Sequence, residues 1–402
     1  MAPTTLRATR QFLPIILLMP TLKSAIGIDG GAVFQLLAIE DLRLSPAQIG
    51  VAFGLGVLSL PVQVWAARIP LSRARRNLQI FLIVSAAQAW LLAALVAAGA
   101  GSFAAGALAV TVTAEISLSV LYATSLQPLM SSALASVDRQ RLNSRARAFG
   151  GMILIVVLLA FAASGGVLRV AFLVTIGAVA AWVAIDLRQL DAPSVEAPTA
   201  DDLPRSRGPI TPQMRSIYLA VGILNLGAMP LLLVYVGKAL WPGGNVGLVG
   251  ALQLVGALLS SLSWRPSVAS LSTRMRGSGI IVFVATLCLA ALQDPQRHRL
   301  EQVALLAIVL VSATATTTIH IGLMELTHRS VQQRSSVRDF ALFDVVESTS
   351  LQVGLLIGGL LVSISLRTPD WPVDPYRIFL VVTAAAALAA VYRVRSAGRP
   401  TV

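Results

Sequence analysis

The sequence predicts an all-α polytopic membrane protein. Hydrophobic residues make up 56% of the 402 residues and charged residues only 12%, while the mean hydropathy is +0.79. A soluble domain of this length needs more charged surface to cover its apolar residues, so this composition implies lipid as the solvent. Twelve long apolar segments cover nearly the whole chain, and arginines fall almost entirely in alternate gaps between them.

Each apolar segment is bounded by polar or charged residues that set its length. A spanning α-helix needs about 20 apolar residues and satisfies its backbone hydrogen bonds within itself. The twelve predicted spans are residues 12–37, 47–66, 78–99, 103–127, 147–165, 167–186, 216–237, 244–263, 279–293, 303–325, 340–365 and 377–392.

The basic residues are distributed unequally between the two sides of the predicted bundle. One set of alternate loops, which includes Arg75, Arg76 and Arg145, holds 23 of the 31 lysines and arginines; the opposite loops hold seven, among them Arg169 and Arg377. The positive-inside rule places the richer set in the cytoplasm together with both termini, which requires an even number of spans. Abundant alanine, with arginine in place of lysine, is typical of high-GC bacterial genes, so we expect a bacterial cytoplasmic (inner) membrane.

The net charge of +13 follows from the same asymmetry, because basic cytoplasmic loops face anionic lipid. No basic run is interleaved with aromatic residues, so we expect no nucleic-acid partner. Cys288 is the single cysteine and lies in an apolar span, which excludes a disulfide framework and a thiolate metal site.

One extended polar stretch, residues 188–213, divides the chain. Its prolines and charged residues cannot bury a core, so it is predicted to be a cytoplasmic linker between an N-terminal bundle, 1–187, and a C-terminal bundle, 214–402. The segment Arg147–Phe149 entering span five is similar to Arg338–Phe340 entering span eleven, which favours a parallel repeat of six spans in each half.

Over essentially its whole length the chain resembles the major facilitator superfamily. The resemblance rests on the twelve spans, the central linker and the basic loops after spans two, four, eight and ten. Arg75 and Arg76 keep the basic end of that family's loop motif after span two, whereas Leu71 stands where the family has aspartate. The resemblance implies two six-helix bundles, a midplane cavity lined by spans one, four, seven and ten, and alternating access. We expect a monomer.

Ionisable side chains within the predicted spans are candidates for function, because each costs several kcal/mol in lipid. A Glu115–Lys23 pair could change from an ion pair to a protonated acid as the cavity rewets, which is what proton coupling requires. The alternatives are a permanent ion pair between helices, or Lys23 extending to the membrane surface. The predicted residues of the substrate cavity and of proton coupling are Lys23, Asp29, Glu115, Tyr122, Gln127, Asn225 and His320.

A cytoplasmic gate is the second predicted site. Asp344 and Glu347 lie one helical turn apart on span eleven and therefore on one face. They could pair with the cytoplasmic arginines Arg75, Arg76 or Arg145. The alternative is that these acids are solvated and favoured simply by a position near a helix N-terminus.

The leading hypothesis is a secondary active transporter, coupled to protons, that exports a small amphipathic compound. His320 can titrate near neutral pH, but without a nearby cluster of acids or cysteines it predicts no metal site, and no cofactor is expected. Uptake or facilitated diffusion of a nutrient, a ferroportin-type metal exporter, and a non-transporting accessory or sensor protein are the alternatives. An enzyme is not expected, because no convergent acid, base or metal groups are evident.

Overall fold

The computed structural model describes residues 3–27, 31–61, 73–99, 105–112, 136–163, 166–187, 212–227, 232–242, 244–263, 268–293, 298–332, 337–368 and 374–396, with positions 119, 121–122, 125–126 and 295 between them. All regular secondary structure in these residues is helical, which confirms the predicted all-α fold. The helices of the first half are α1 (Pro3–Ile26), α2 (Ala32–Glu40), α3 (Pro46–Gly54), α4 (Ala74–Ala97), α5 (Ser136–Ala163) and α6 (Gly166–Asp186). Those of the second half are α7 (Pro212–Leu226), α8 (Leu232–Tyr235), α9 (Val246–Ser263), α10 (Val268–Ala291), α11 (Arg299–Gln332), α12 (Val337–Arg367) and α13 (Pro375–Ser396).

Seven of the described helices are long and apolar enough to cross a membrane: α4, α6, α9, α10, α11, α12 and α13. Shorter apolar helical segments occupy Phe12–Ile26, Pro46–Leu58 and Ala148–Phe161. The protein is therefore multi-pass, and the count of twelve spans stays a prediction.

Span one is interrupted, so the prediction of a continuous helix over residues 12–37 is wrong. α1 ends at Ile26 because Gly27 has a φ of +92°, a left-handed conformation that glycine adopts without steric cost. A side chain at Gly31 would place its Cβ 2.4 Å from the Cα of Ser24, so Gly31, directly before α2, lies against the backbone of α1. The amide of Val33 then donates to Ser24 Oγ at 3.3 Å.

Span seven is divided into two helices, one ending at Leu226 and the next beginning at Leu232, so the continuous helix predicted over residues 216–237 is also wrong. α7 ends at Leu226 and is followed by Gly227, 200 residues after Gly27. The helix resumes as α8 and passes into a π-helix over Val236–Leu240. The two halves are thus related at their first helices by a shift of 200 residues.

The N-caps of α3 and α9 obey the same 200-residue shift. Ser45 Oγ accepts the amide of Gln48 at 3.2 Å, and Asn245 Oδ1 accepts the amide of Leu248 at 2.8 Å. Both side chains satisfy amides that the first helical turn leaves without intrahelical partners.

The helices of each half pack mainly on one another. In the first half α4 packs on α6 and α1 on α5; in the second half α11 packs on α9 and α10, α13 on α10, and α7 on both α12 and α13. One buried core runs through the first half and into the second around Tyr235 and Tyr376. A separate core, around Ile217 and Leu323, lies in the second half.

The two halves meet through α3 with α12 and through α5 with α9. A Cβ at Gly359 would lie 2.6 Å from the carbonyl oxygen of Pro46 and 2.7 Å from the Cα of Gly50, so α3 and α12 touch backbone to backbone. A Cβ at Gly250 of α9 would lie 3.2 Å from Leu158 of α5. These contacts lie toward the end of the molecule opposite the chain termini, called the far end below.

Candidate functional site

The interruption of span one is stabilised by a side chain from α4. Gln88, 4% exposed, donates through Nε2 to the carbonyl oxygen of Ile26 at 3.1 Å. Because α1 ends at Ile26, this carbonyl has no partner one turn further along the helix, and buried carbonyls require one. The break is therefore stabilised by a specific hydrogen bond within the buried core.

We expect Gln88→Leu to lower the free energy of unfolding by about 1–2 kcal/mol, because it leaves the buried carbonyl of Ile26 without its donor. Thermal unfolding of the purified protein in detergent measures this change. Gln79→Leu is the matched control, since Gln79 on the same helix donates to the carbonyl of Ala184 and is not at the break. Equal losses in both variants would contradict a special role for Gln88.

Two of the predicted cavity residues lie together on spans one and four. The Nζ of Lys23 is 5.4 Å from the centroid of the Tyr122 ring, within the range of a cation–π contact. The Tyr122 ring in turn packs against Phe81 of α4, with ring centroids 5.5 Å apart. Lys23 lies one turn before Gly27, whose amide donates to the Lys23 carbonyl at 3.1 Å, so this cation lies beside the break.

The break in span seven also carries a predicted cavity residue. Asn225 lies two residues before Gly227, and its Nδ2 is buried without a hydrogen-bond partner among the described residues. Thr316 Oγ1, on α11, is buried and unpartnered in the same sense. A buried polar group without a partner costs about 1–3 kcal/mol, so each is available to a bound water or ligand.

α12 approaches this break closely enough to exclude a side chain. A Cβ at Gly354 would lie 2.5 Å from the carbonyl oxygen of Leu226 and 3.0 Å from that of Asn225. The last turn of α7 is therefore in close contact with the backbone of α12.

His320 on α11 and Glu347 on α12 form a pair. His320 Nε2 is 3.4 Å from Glu347 Oε1, and the two side chains are 25% and 27% exposed. The contact is an ion pair when the imidazole is protonated and a polar contact when it is neutral, so uptake of one proton changes how α11 and α12 attract each other. From the sequence, His320 is predicted to line the substrate cavity and Glu347 to belong to the cytoplasmic gate. In the structure the two side chains contact each other.

Several predicted residues cannot be placed with their side chains. Asp29, Glu115 and Gln127 lie outside the described residues, so the Glu115–Lys23 pair stays a prediction. Arg145 lies on α5 and Asp344 on α12, and the structure describes only their helices. Arg75 and Arg76 are exposed at the start of α4, and their pairing with span eleven also stays a prediction.

An arginine counted among the basic residues of the arginine-poor side, Arg169, is buried in the first turn of α6. Arg169 is 7% exposed. Its Nη1 donates to Asp41 at 2.8 Å, and its Nη2 donates to Glu40 and to the carbonyl of Phe161, the latter at 2.9 Å. The guanidinium therefore fixes the end of α2 to α5 and α6.

A second arginine of the arginine-poor side, Arg377, occupies the matching place in the second half, in the first turn of α13. Arg377 donates through Nε to the Tyr235 hydroxyl at 2.8 Å and through Nη1 to the carbonyls of Ala290, at 2.9 Å, and Leu292. The hydroxyl of Tyr235 donates to Asp374. This network fixes the outer part of span seven to α10 and α13. Arg169 and Arg377 are among the few basic residues between apolar spans on the arginine-poor side. That position is the sequence signal that could have identified both arginines.

No family model matches this sequence, and no curated protein sequence matches it. Solved structures do match it over nearly their full lengths. A mutant of the nucleoside transporter NupG has a TM-score of 0.63 at 12% identity, covering 98% of this chain and 100% of that one. A bacterial homologue of the iron transporter ferroportin, outward-facing, has a TM-score of 0.60 at 18% identity, covering 96% and 99%. A bacterial metal transporter has a TM-score of 0.56 at 19% identity, covering 98% and 99%.

At these identities the likeness shows the fold. The chain has the fold of major facilitator transporters, as the sequence resemblance predicted. Among the residues that the structure describes, no group of three or more histidines, cysteines or carboxylates is placed to hold a metal ion.

Proposed function

We propose that this chain is a secondary active transporter that works by alternating access and exports a small amphipathic compound in exchange for protons. The observation that carries the proposal is the pair of interruptions at Gly27 and Gly227, which lie at corresponding places in the first helix of each half. Interrupted helices at repeat-related positions are a feature by which transporters with internal repeats form substrate sites. Here the carbonyl of Ile26 is already bonded to Gln88, so the groups that remain for a ligand are the side chains beside the breaks.

The chemistry beside the two interruptions supports a polar but sparsely charged site. Lys23 with Tyr122 lies on the first-half side, and the amide of Asn225 lies on the second-half side. A few fixed polar groups in a mostly apolar cavity suit a ligand that has one polar region and an apolar body.

The His320–Glu347 pair supports proton coupling. When the imidazole is protonated, the contact with the carboxylate is an ion pair that draws α11 toward α12. Both helices belong to the second half, and α12 also contacts α3 of the first half. Protonation at this pair can therefore bias how the halves approach each other.

The test is proton movement in proteoliposomes that contain a pH-sensitive dye, while compounds are screened against the wild type. For a compound that evokes proton movement, we expect Glu347→Gln to lower the rate about tenfold, because about 1.4 kcal/mol of coupling is lost with the charge. Glu325→Gln, a carboxylate variant elsewhere on α11, is the matched control. Glu115→Gln tests the other predicted coupling site in the same assay.

The outcomes separate the parts of the proposal. An unchanged rate in Glu347→Gln with loss in Glu115→Gln would move coupling to span four. Accumulation of a radiolabelled compound without proton movement would leave a transporter and remove the coupling. No accumulation of any compound in either direction would contradict transport itself and favour the accessory-protein alternative.

A further inference from the structure

A cavity of about 620 Å³ lies within the second half at the far end, apart from the proposed substrate site. It is bounded by the helical segment after α8, the ends of α10 and α12, and the start of α13. Its polar wall is formed by Tyr235, Gln293, Ser365, Thr368, Asp374 and Arg377. Its apolar wall includes Leu240, Leu366, Ile378, Val381 and Val382.

The apolar wall continues onto the outer surface of the bundle. Val382 is 59% exposed, Ile378 48% and Leu366 41%. On a membrane-spanning helix such side chains face acyl chains, so the cavity is continuous with the lipid around the protein. Arg377 lies in the first turn of α13, and Val382 follows five residues, or about 7.5 Å, deeper along the helix. The walls therefore change from polar to apolar with depth, which is the order of groups in a phospholipid.

Arg377 retains hydrogen-bonding capacity on this cavity. Of its five N–H groups, the one on Nε and the two on Nη1 are engaged, and both on Nη2 are without a partner among the described residues. The neighbouring carboxylate is satisfied: Asp374 Oδ1 accepts the Ser365 hydroxyl at 2.6 Å and the Tyr376 amide at 2.9 Å, and Oδ2 accepts the Tyr235 hydroxyl. The group that remains for a ligand is thus a cationic donor pair, which suits a phosphate oxygen.

The matching arginine in the first half has no terminal nitrogen without a partner; the N–H group that it leaves unpartnered is on Nε, which is buried. Both terminal nitrogens of Arg169 donate, one to Asp41 and the other to Glu40 and to a backbone carbonyl. Two carboxylates thus surround the cation there, against one beside Arg377. Each half has an arginine at this place, but the arginine of the second half leaves Nη2 without a partner among the described residues. Fixing the helices to one another therefore does not use all the hydrogen-bonding groups of Arg377.

We propose that this cavity binds one phospholipid from the leaflet at the far end, with its phosphate on Nη2 of Arg377 and an acyl chain along Ile378, Val381 and Val382. The volume falls in the range of small-molecule sites, and the surrounding bilayer supplies the ligand at high local concentration. The site lies within one half of the molecule and does not depend on the proposed transport function. Bound lipid would fill the space between the second part of span seven and α13.

The test is native mass spectrometry of the full chain in detergent, titrated with dioleoyl phosphatidylglycerol. We expect the wild type to retain one lipid, and Arg377→Gln to bind it roughly tenfold more weakly because a charge-assisted contact is lost. Val382→Trp should weaken binding similarly by filling the apolar wall while leaving the arginine network intact. The matched controls are Arg299→Gln, an exposed basic residue outside the cavity wall, and Val174→Trp, an exposed valine on α6 that is 46% exposed.

Each outcome bears on the proposal. Loss of the lipid in both cavity variants, with retention in both controls, supports it. Equal binding in Val382→Trp and Val174→Trp would overturn it, even if Arg377→Gln failed to fold. Equal weakening in Arg299→Gln would assign the binding to unspecific attraction by surface charge. Dioleoylglycerol, which lacks the phosphate, must bind more weakly than the phospholipid; equal affinity would exclude the role of Arg377.

Discussion

Replacing Arg169 with glutamine is expected to lower the free energy of unfolding by about 3 kcal/mol. The guanidinium is 7% exposed and holds two carboxylates, Glu40 and Asp41, so its removal leaves two anions close together without a cation. Breaking a buried ion pair typically costs 3–5 kcal/mol, and the lower end applies because the Glu40 side chain is 35% exposed and partly hydrated. The carbonyl of Phe161 also loses its donor.

The measurement is thermal unfolding of the purified protein in detergent, where several degrees of destabilisation are expected. Arg367→Gln is the control, because this exposed arginine lies at the same end of the molecule. The triple variant Arg169→Leu, Glu40→Gln, Asp41→Asn should recover most of the loss, since no unpaired charge remains. If Arg169→Gln unfolds at the same temperature as Arg367→Gln, the ion pairs contribute nothing.

The fold could be predicted from the sequence because it depends on hydropathy and charge averaged over many residues. Composition and the alternation of arginine-rich loops suffice for an all-α membrane protein, and the structure and its structural neighbours confirm that fold. The interruptions could not be predicted in this way. Residues 227–231 are small or apolar, and residues 27–31 contain one charged residue, Asp29, so neither stretch is long enough to divide a span in a hydropathy average. The end of α1 depends instead on the left-handed backbone of Gly27.

The sequence suggests candidate site residues one at a time, and the structure adds which of the described ones contact each other. Lys23 and Tyr122 were both expected in the cavity, and the structure places the cation over the ring. His320 and Glu347 are 27 residues apart on different helices, and no spacing rule connects residues across two packed spans. Arg377 marks the predicted start of span twelve because charge usually lies at a span boundary, and its hydrogen bonds to Tyr235 and two carbonyls could not be predicted from that position.

Replacing Gly359 with leucine is expected to lower the population of the state in which the far end is closed by roughly a hundredfold. The Cβ alone would lie 2.6 Å from the Pro46 carbonyl oxygen and 2.7 Å from the Gly50 Cα, and both are backbone atoms that cannot move aside independently. Overpacking costs about 1–3 kcal/mol, and the upper end applies to a bulky side chain between two backbones. Since the contact exists only where α3 and α12 touch, the cost falls on this state and favours separation of the halves at the far end.

The measurement is the accessibility of a cysteine at position 225 to a membrane-impermeant maleimide, in a Cys288→Ser background that removes the one natural thiol. With the far end closed, Asn225→Cys should react slowly from that side of sealed vesicles, and Gly359→Leu should raise the rate by about the hundredfold shift in population. Gly277→Leu is the matched control, because a Cβ at Gly277 has no atom within 4 Å. Under the proposed alternating-access cycle, transport by Gly359→Leu should also fall, since that cycle requires each end to close in turn. An unchanged maleimide rate in Gly359→Leu would mean that the glycine contact is mere packing and that the far end is not a gate.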